Sequence, residues 1–357
     1  MVDFALTPEQ EMLRDTARAL FRKECPSSLV RAAFYDVTDD GPAEARGFVD
    51  THLREWQALG EGPLVDLCLF LEESGAAVAP GLVWIGAAFA LPLLRAAGHP
   101  DADVIAAGEL TATVAWAGRD GRVTADGGER WFVPHVDDVD RVVVLGRGPS
   151  VACLEPADLL SRRIEAMDLA RPIFRVEVPD GALAGARPIE QESIDAAVRR
   201  ATVALAAEMV GVGRWIQEAT LAYVSERVQF GRPVGSFQGL QWELVDAALT
   251  QERATAAVYY AAMCVDAGDP DQDAAVHTAK AAAGRAAKGW SHMGVQAHGG
   301  IGYTWEHDLH LRLRRAYGDD RLLGDVDWHH ERLGALLFEA QDEDRRPAPP
   351  GDHEGDG

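Results

Sequence analysis

The fold is decided by a segment that joins two long helical stretches, Arg227-Val228-Gln229-Phe230-Gly231-Arg232-Pro233-Val234-Gly235-Ser236-Phe237-Gln238. The flanking residues 193–226 and 237–267 are rich in alanine and contain no proline, which predicts two long helices. The segment offers two planar guanidinium groups that match a pyrophosphate, and amides that donate hydrogen bonds. An ordinary helix–turn–helix connection is the alternative interpretation, because Gly and Pro also mark turns.

A second segment follows a third long helical stretch, residues 271–298, and runs Gln296-Ala297-His298-Gly299-Gly300-Ile301-Gly302-Tyr303-Thr304-Trp305-Glu306. Its glycines let a phosphate approach the backbone closely, although such a cluster also ends helices. No strand precedes it, so the segment does not fit the fingerprint of NAD-binding proteins.

Outside these helices the chain changes character. Residues 7–97 show helical periodicity that opens with Thr7, Pro8 and Gln10, the pattern of a capping box. Within it, residues 43–59 are predicted to form one continuous helix. From about residue 103 to 190, short β-branched and aromatic runs alternate with turn signals such as Asp120-Gly121. We predict an α+β fold with an N-terminal helical domain (1–104), a middle β barrel (105–190), a C-terminal four-helix bundle (191–340) and a disordered acidic tail (341–357).

Composition excludes several classes of function. A formal net charge of −23 over 357 residues argues against a nucleic-acid partner, which needs a basic surface. The four cysteines form no Cys-x-x-Cys pair, so we expect reduced thiols in a cytoplasmic protein and no metal site. The N-terminus lacks the pattern of a signal peptide, and the longest apolar run, residues 81–94, is too short to span a bilayer.

The two segments, in this order, resemble the FAD-binding elements of the acyl-CoA dehydrogenase family. Residues 4–26 and 72–80 are similar to the N-terminal helices of that family, and the helix–β–helix layout agrees with it. Residues 305–311 resemble a bacterial branch that handles bulky or unusual acyl-CoAs, including those with steroid side chains. The resemblance covers most of residues 1–340.

The resemblance implies a tetrameric flavoenzyme that dehydrogenates an acyl-CoA thioester between Cα and Cβ. A carboxylate would take the α-proton while the β-hydrogen leaves as hydride to the flavin, and an electron-transferring flavoprotein would accept the electrons. The resemblance also implies that FAD, shared across a subunit boundary, contacts Arg227, Gln229, Phe230, Phe237, Gln238, Gln296, Gly299 and Gly300.

Both positions at which the family places its catalytic glutamate hold apolar residues, Leu323 and Ala201. Glu208 is the remaining candidate, because a carboxylate desolvated in the apolar run 204–211 would have the raised pKa of a useful base. A structural glutamate paired with a basic residue across the bundle is the alternative. Asp325 and Asp327 follow the empty position and are either further acids of the site or solvated loop residues.

The middle domain departs from the family as well. It lacks a Thr-Glu-Pro…Gly-Ser-Asp stretch, and Val133 replaces a hydroxyl residue in the run Trp131-Phe132-Val133-Pro134. These losses resemble the reduced partner in α2β2 tetramers, in which only one of two homologous chains supplies the base. A self-sufficient homo-oligomer that uses Glu208, and a non-catalytic homologue that binds acyl-CoA or a partner protein, are the alternatives.

Overall fold

The computed structural model describes residues 5–35, 41–124, 128–179 and 181–344. The N-terminal third is helical, as its periodicity predicts. Thr7 caps the first helix reciprocally, because its hydroxyl accepts from the Gln10 N–H and the Gln10 amide oxygen accepts from the Thr7 N–H. The helices are α1 (Pro8–Glu24), α2 (Ser27–Tyr35), α3 (Gly41–His52), α4 (Leu64–Ala77), α5 (Val83–Ile85), α6 (Leu91–Ala96) and α7 (Asp101–Ala106).

Two irregular turns interrupt this helical third. A 3₁₀ helix, Arg54–Glu61, lies between α3 and α4, so the single helix predicted over residues 43–59 is in fact two pieces. A π-helical turn, Gly86–Ala90, connects α5 to α6. π-Helical turns are rare in proteins, and those that occur are often found at functional sites.

The middle region is built from two small sheets. The strands are β1 (Ala112–Ala115), β2 (Glu129–Pro134), β3 (Arg141–Leu145), β4 (Ser150–Leu154), β5 (Leu160–Ile164), β6 (Ile173–Glu177) and β7 (Arg187–Pro188). One sheet has the order β1-β3-β4-β7, with β1 parallel to β3, and the other has the order β2-β6-β5. An isolated bridge, Ala117 to Trp131, joins the two sheets at one end of the predicted barrel. At the predicted Asp120-Gly121 turn, Ala117 pairs with Val123.

The C-terminal part contains the predicted long helices. They are α8 (Gln191–Glu226), α9 (Gln238–Ala267), α10 (Gln272–His298), α11 (Leu309–Asp320) and α12 (Val326–Asp344). The last helix includes the first four residues of the predicted tail, and residues 345–357 lie outside the described residues. The domain boundaries as such stay a prediction.

Helix α4 packs against α8 through two glycines. A Cβ on Gly75 would overlap the carbonyl oxygen of Glu208, and a Cβ on Gly211 would overlap that of Glu72. The two backbones therefore approach more closely than side chains allow. This contact fixes the N-terminal helices on the bundle and places Glu208 in the interior. In the part of the chain described, no helix has the length and apolarity required to cross a membrane.

Candidate functional site

The structure brings the two glycine-containing segments together in one groove of about 510 Å³. Beyond Glu226, β8 (Val228–Gln229) pairs with β9 (Arg232–Pro233), and the hairpin tip has positive φ at Phe230 and Gly231. Across the groove, Gly299 ends α10 with a φ of 63°. The groove is lined by residues from both segments, among them Arg227, Gln229, Gln296, Gly299 and Gly300.

A tyrosine and a histidine hold the two segments in place. The Tyr223 hydroxyl donates to the carbonyl oxygen of His298 at 3.3 Å, and the two rings stack with centroids 4.3 Å apart. Both side chains line the groove. Neither was a predicted site residue, although Tyr223 precedes the first segment by one helical turn and His298 lies within the second.

The groove fits the phosphate end of a dinucleotide. Among the described residues, neither the exposed Arg227 guanidinium nor the exposed Gln296 amide has a side-chain partner. Backbone at Gly299 and Gly300 is open, since a Cβ at either position would meet nothing within 4 Å. One free cation, one free amide and accessible glycine backbone suit an anionic ligand. Glu243 also lines the groove and opposes that charge.

Three predicted cofactor residues do not line this groove. Phe230 is 93% exposed at the hairpin tip, and Gln238 is exposed at the start of α9. The Arg232 guanidinium lies over the Phe237 ring, 4.0 Å from its centroid. Within a single chain these predicted residues therefore lie outside the groove, and their contact with a cofactor stays a prediction.

One of the two empty base positions, Leu323, lines a second cavity of about 520 Å³. The other, Ala201, is buried in α8, next in sequence to Thr202, which also lines the cavity. The acids on its wall are Asp195 and Asp273, of which Asp273 is bonded to Arg199 at 2.6 Å. We call this space the Leu323 cavity.

A buried lysine shapes the turn that carries Leu323. Leu323 and Gly324 both have positive φ, 59° and 100°. The Lys280 ammonium donates to the carbonyl oxygens of Asp319, Asp320 and Gly324, at 3.2, 3.4 and 3.0 Å. Burial lowers the pKa of Lys280 to about 8, with nearby acids acting in the opposite direction. Backbone dipoles therefore replace a carboxylate partner at this turn.

A pair of histidines borders the Leu323 cavity. His329 Nε2 lies 3.1 Å from the Leu323 carbonyl oxygen, which can only accept, so this nitrogen carries the proton. His329 Nδ1 must then accept from His277 Nδ1 at 2.8 Å, which leaves His277 Nε2 as an acceptor. Burial lowers the pKa of His329 to about 2 and also lowers that of His277. Both rings are neutral near pH 7.

Glu208 is the clearest correction to the sequence analysis. Its carboxylate accepts two hydrogen bonds from Arg171, at 2.7 and 2.8 Å, and one from Arg315 at 2.6 Å. Burial by itself raises the pKa of Glu208, but the two guanidinium groups outweigh it and hold the pKa below the ordinary value. The expected raised pKa is therefore wrong, and Glu208 lines neither the groove nor the Leu323 cavity. This geometry supports the structural alternative.

Glu208 belongs to a buried charge network. Asp168 bonds Arg315, and Asp319 bonds Arg171, so two arginines face three acids. Burial raises the pKa of Asp319 to about 7, while Arg171 acts in the opposite direction. Sequence reasoning missed this network, because its members come from the linker before β6, from α8 and from α11.

Asp325 and Asp327 lie outside the Leu323 cavity, which favours the alternative of solvated loop residues. Asp325 Oδ1 accepts from the Trp328 N–H at 3.0 Å, and Arg321 bonds the same carboxylate at 2.8 Å. Asp325 therefore caps α12. Asp327 is exposed on the first turn of that helix, and neither acid lines the Leu323 cavity.

A group of possible metal ligands lies elsewhere, at the start of α7. Ligand atoms of His99, Asp101 and Cys153 lie within 4.8 Å of one another. Asp101 is already bonded to Arg141 at 2.6 Å, and burial raises the pKa of the Cys153 thiol to about 12. The absence of a metal therefore stays a prediction.

Comparisons with known proteins agree with the fold. Residues 193–335 match the family described as acyl-CoA dehydrogenase, C-terminal domain. The chain is 30% identical over 335 residues to the acyl-CoA dehydrogenase IpdE2 of Mycobacterium tuberculosis, covering 89% of this chain and 94% of that protein. It is 30% identical over 363 residues to acyl-CoA dehydrogenase FadE34 of the same organism, covering 93% of this chain but 48% of that protein.

Solved structures show the same fold at lower identity. The ChsE4-ChsE5 complex from Mycobacterium tuberculosis has a TM-score of 0.82 at 22% identity, covering 97% of this chain and all of that chain. The Tcur3481-Tcur3483 steroid ACAD has a TM-score of 0.80 at 24% identity, covering 94% of this chain and 99% of that chain.

Proposed function

Because the chain belongs to the acyl-CoA dehydrogenase family, we propose that it is a subunit of an FAD-dependent enzyme in which a homologous chain provides the catalytic base. The reaction is the α,β-dehydrogenation of an acyl-CoA thioester. One observation carries the proposal. Of the family's two base positions, one is held by Leu323 on the wall of the Leu323 cavity and the other by the buried Ala201, and neither side chain can remove an α-proton.

The groove supports FAD as the cofactor of the assembled enzyme. Arg227, Gln229 and Gln296 would hold the phosphates of the dinucleotide, and the backbone at Gly299 and Gly300 would let them approach. Flavin, when bound, accepts the hydride that leaves the β-carbon. Phe230 at the hairpin tip and Gln238 at the start of α9 are exposed, where they would reach a cofactor seated mainly on the adjacent chain.

Two features support a homologous partner. The solved ChsE4-ChsE5 relative is a complex of two named chains, and the part of FadE34 that matches this chain is about half of that protein. The described surface also exposes large apolar side chains along α9, with Trp242 at 64%, Val245 at 56% and Leu249 at 51%. They lie on one helical face, as a subunit contact requires. We also propose that an electron-transferring flavoprotein accepts the electrons from the reduced flavin.

The self-sufficient alternative needs Glu208 as a base. A carboxylate held by two buried arginines is ionised but inaccessible. If it accepted an α-proton, its charge would be lost and its ion pairs with Arg171 and Arg315 would be weakened. The geometry therefore favours the heteromeric enzyme over a homo-oligomer that uses Glu208.

Co-expression tests the proposal. The chain is purified alone and together with a homologous dehydrogenase chain encoded beside it, and flavin absorbance, native mass and dehydrogenation of acyl-CoA are measured. We expect turnover and a flavin spectrum from the pair only. The Glu208→Gln variant, paired with the same partner, should retain turnover per folded complex. A yellow homotetramer that is active without any partner would contradict the proposal.

A further inference from the structure

A third cavity, of about 360 Å³, lies between the N-terminal helices and the β region. It is lined by α3, the 3₁₀ helix, the start of α5, the turn between β2 and β3, and the linker before β6. Its apolar wall consists of Val49, Leu53, Leu82, Val83 and Leu169. None of its lining residues is shared with the groove or with the Leu323 cavity. We call it the Gln57 cavity.

Gln57 gives this cavity an unpartnered amide. The residue is 3% exposed, and its Oε1 is buried without a hydrogen-bond partner among the described residues. A Cβ on Gly86 would collide with the Gln57 amide, so only glycine at this place lets the amide occupy its position. Gly86 also opens the π-helical turn noted above. A buried amide oxygen without a protein partner normally costs stability, and on the wall of a cavity a ligand hydroxyl can satisfy it.

His135 supplies a second unpartnered polar atom to the same cavity. It is 6% exposed, and its Nε2 is buried without a hydrogen-bond partner among the described residues. Its backbone is in the left-handed region, with φ of 54°, and its N–H donates to the Pro172 carbonyl oxygen at 2.8 Å. A non-glycine residue rarely adopts this conformation, and such strain clusters at ligand sites.

The charges of the cavity are paired with one another. Arg46 lies 3.3 Å from Asp138, and Arg54 lies 2.7 Å from Asp50 and 3.7 Å from Asp140. The remaining charged residues of its lining, Arg163 and Asp137, are of opposite sign. An ionic ligand would have to break these pairs, whereas a neutral ligand leaves them intact.

We propose that the Gln57 cavity binds a neutral, mostly apolar small molecule whose hydroxyl groups bond to Gln57 and His135. The apolar wall accommodates the body of the ligand, and the two unpartnered atoms, Gln57 Oε1 and His135 Nε2, orient it, while His135 Nδ1 stays 3.6 Å from Asp138. The volume lies within the range of ordinary small-molecule sites. This site goes beyond the proposed function, because it requires neither flavin nor a thioester.

The test uses 2-naphthol and its methyl isostere, 2-methylnaphthalene, titrated into the full chain by calorimetry. We expect saturable binding of 2-naphthol, at least about tenfold tighter than the isostere, because a site built around polar groups discriminates against ligands that lack them. Gln57→Leu should weaken 2-naphthol binding about tenfold and raise the melting temperature of the free protein. His135→Asn, which tolerates the left-handed backbone, should also weaken binding.

Gln251→Leu is the matched control. Gln251 is likewise 3% exposed, and its Oε1 is likewise buried without a hydrogen-bond partner among the described residues. It differs from Gln57 in that its Nε2 donates to the Val210 carbonyl oxygen at 2.8 Å and in that it does not line the cavity. Its replacement should lower the melting temperature and leave 2-naphthol binding unchanged. The proposal would be overturned if binding of 2-naphthol were not saturable, or if both ligands bound with equal affinity. It would also be overturned if the Gln57→Leu protein bound 2-naphthol as tightly as wild type and had a lower melting temperature.

Discussion

The Arg171 guanidinium donates two hydrogen bonds to the Glu208 carboxylate in the interior of the protein, where the side chains are 3% and 2% exposed. Removing the Glu208 carboxylate leaves buried guanidinium N–H groups of Arg171 and Arg315 without their acceptor, although Asp319 and Asp168 remain bonded to them. The contact therefore makes Glu208 important for folding. It also holds the carboxylate in an ion pair, so Glu208 is not the free base of raised pKa that its apolar sequence context suggested.

The first prediction concerns Glu208→Gln. Loss of the carboxylate leaves Arg171 and Arg315 facing fewer acids, so the free energy of unfolding should fall by about 3 kcal/mol in urea denaturation. The matched control is Glu218→Gln, whose carboxylate is 64% exposed and lies 3.4 Å from Arg214. That variant should change stability by less than about 0.5 kcal/mol. Unchanged stability of Glu208→Gln together with lost turnover would instead identify Glu208 as the base.

The second prediction concerns the contact between α4 and α8. Gly211→Ala places a methyl group against the Glu72 carbonyl oxygen, and the helices must separate to accept it. We expect a loss of about 3 kcal/mol or an insoluble protein, measured by denaturation and by soluble yield. Gly289→Ala, on α10 with no atom near the added Cβ, should instead stabilise by about 0.5–1 kcal/mol. Similar effects of the two substitutions would contradict the close approach of the backbones.

The third prediction concerns charge in the groove. In the co-purified complex, Arg227→Ala should raise the Kd for FAD about tenfold, since a hydrogen bond to a charged group contributes about 1.5–3 kcal/mol. Glu243→Gln removes the opposing charge from the same groove and should lower that Kd a few-fold. Fluorescence titration of the apo-complex measures both. Shifts in the same direction would show that the groove does not hold the phosphates.

The fourth prediction concerns acid sensitivity. The folded pKa of His329 is about 2, whereas an unfolded histidine titrates near 6.5, so the unfolded chain binds more protons between these values. Its contribution to stability is present above about pH 6.5 and is lost as pH falls, at about 1.4 kcal/mol per unit. Between pH 7 and 5.5, wild type should therefore lose about 1 kcal/mol more than His329→Gln in urea denaturation.

The exposed His292 provides the control for this comparison. His292→Gln should keep the pH dependence of the wild type. If His329→Gln and wild type lost stability in parallel between pH 7 and 5.5, His329 would not be held neutral by its burial.

Local patterns predicted the helices well where they were long and the irregular turns poorly. The Ala-rich helices α8, α9 and α10 begin and end within a few residues of their predicted limits. The helix predicted over residues 43–59 instead ends at His52 and resumes as a 3₁₀ helix. Gly60, at the far end of that turn, packs so closely on α6 and the π-helical turn that a Cβ would overlap the Ala87 carbonyl oxygen. This is a tertiary contact that no local pattern contains.

By itself the sequence determined the helix–β–helix order, the two glycine-containing segments and the absence of a glutamate at positions 201 and 323, because these depend on local periodicity and on residue identity. Only the tertiary structure decided that Arg227 and Gly299 line one groove, that Arg171 and Arg315 neutralise Glu208, and that Gln57 and His135 share a cavity. Groups far apart in the chain acquire their pKa values, partners and accessibility from neighbours that the packing of the elements supplies.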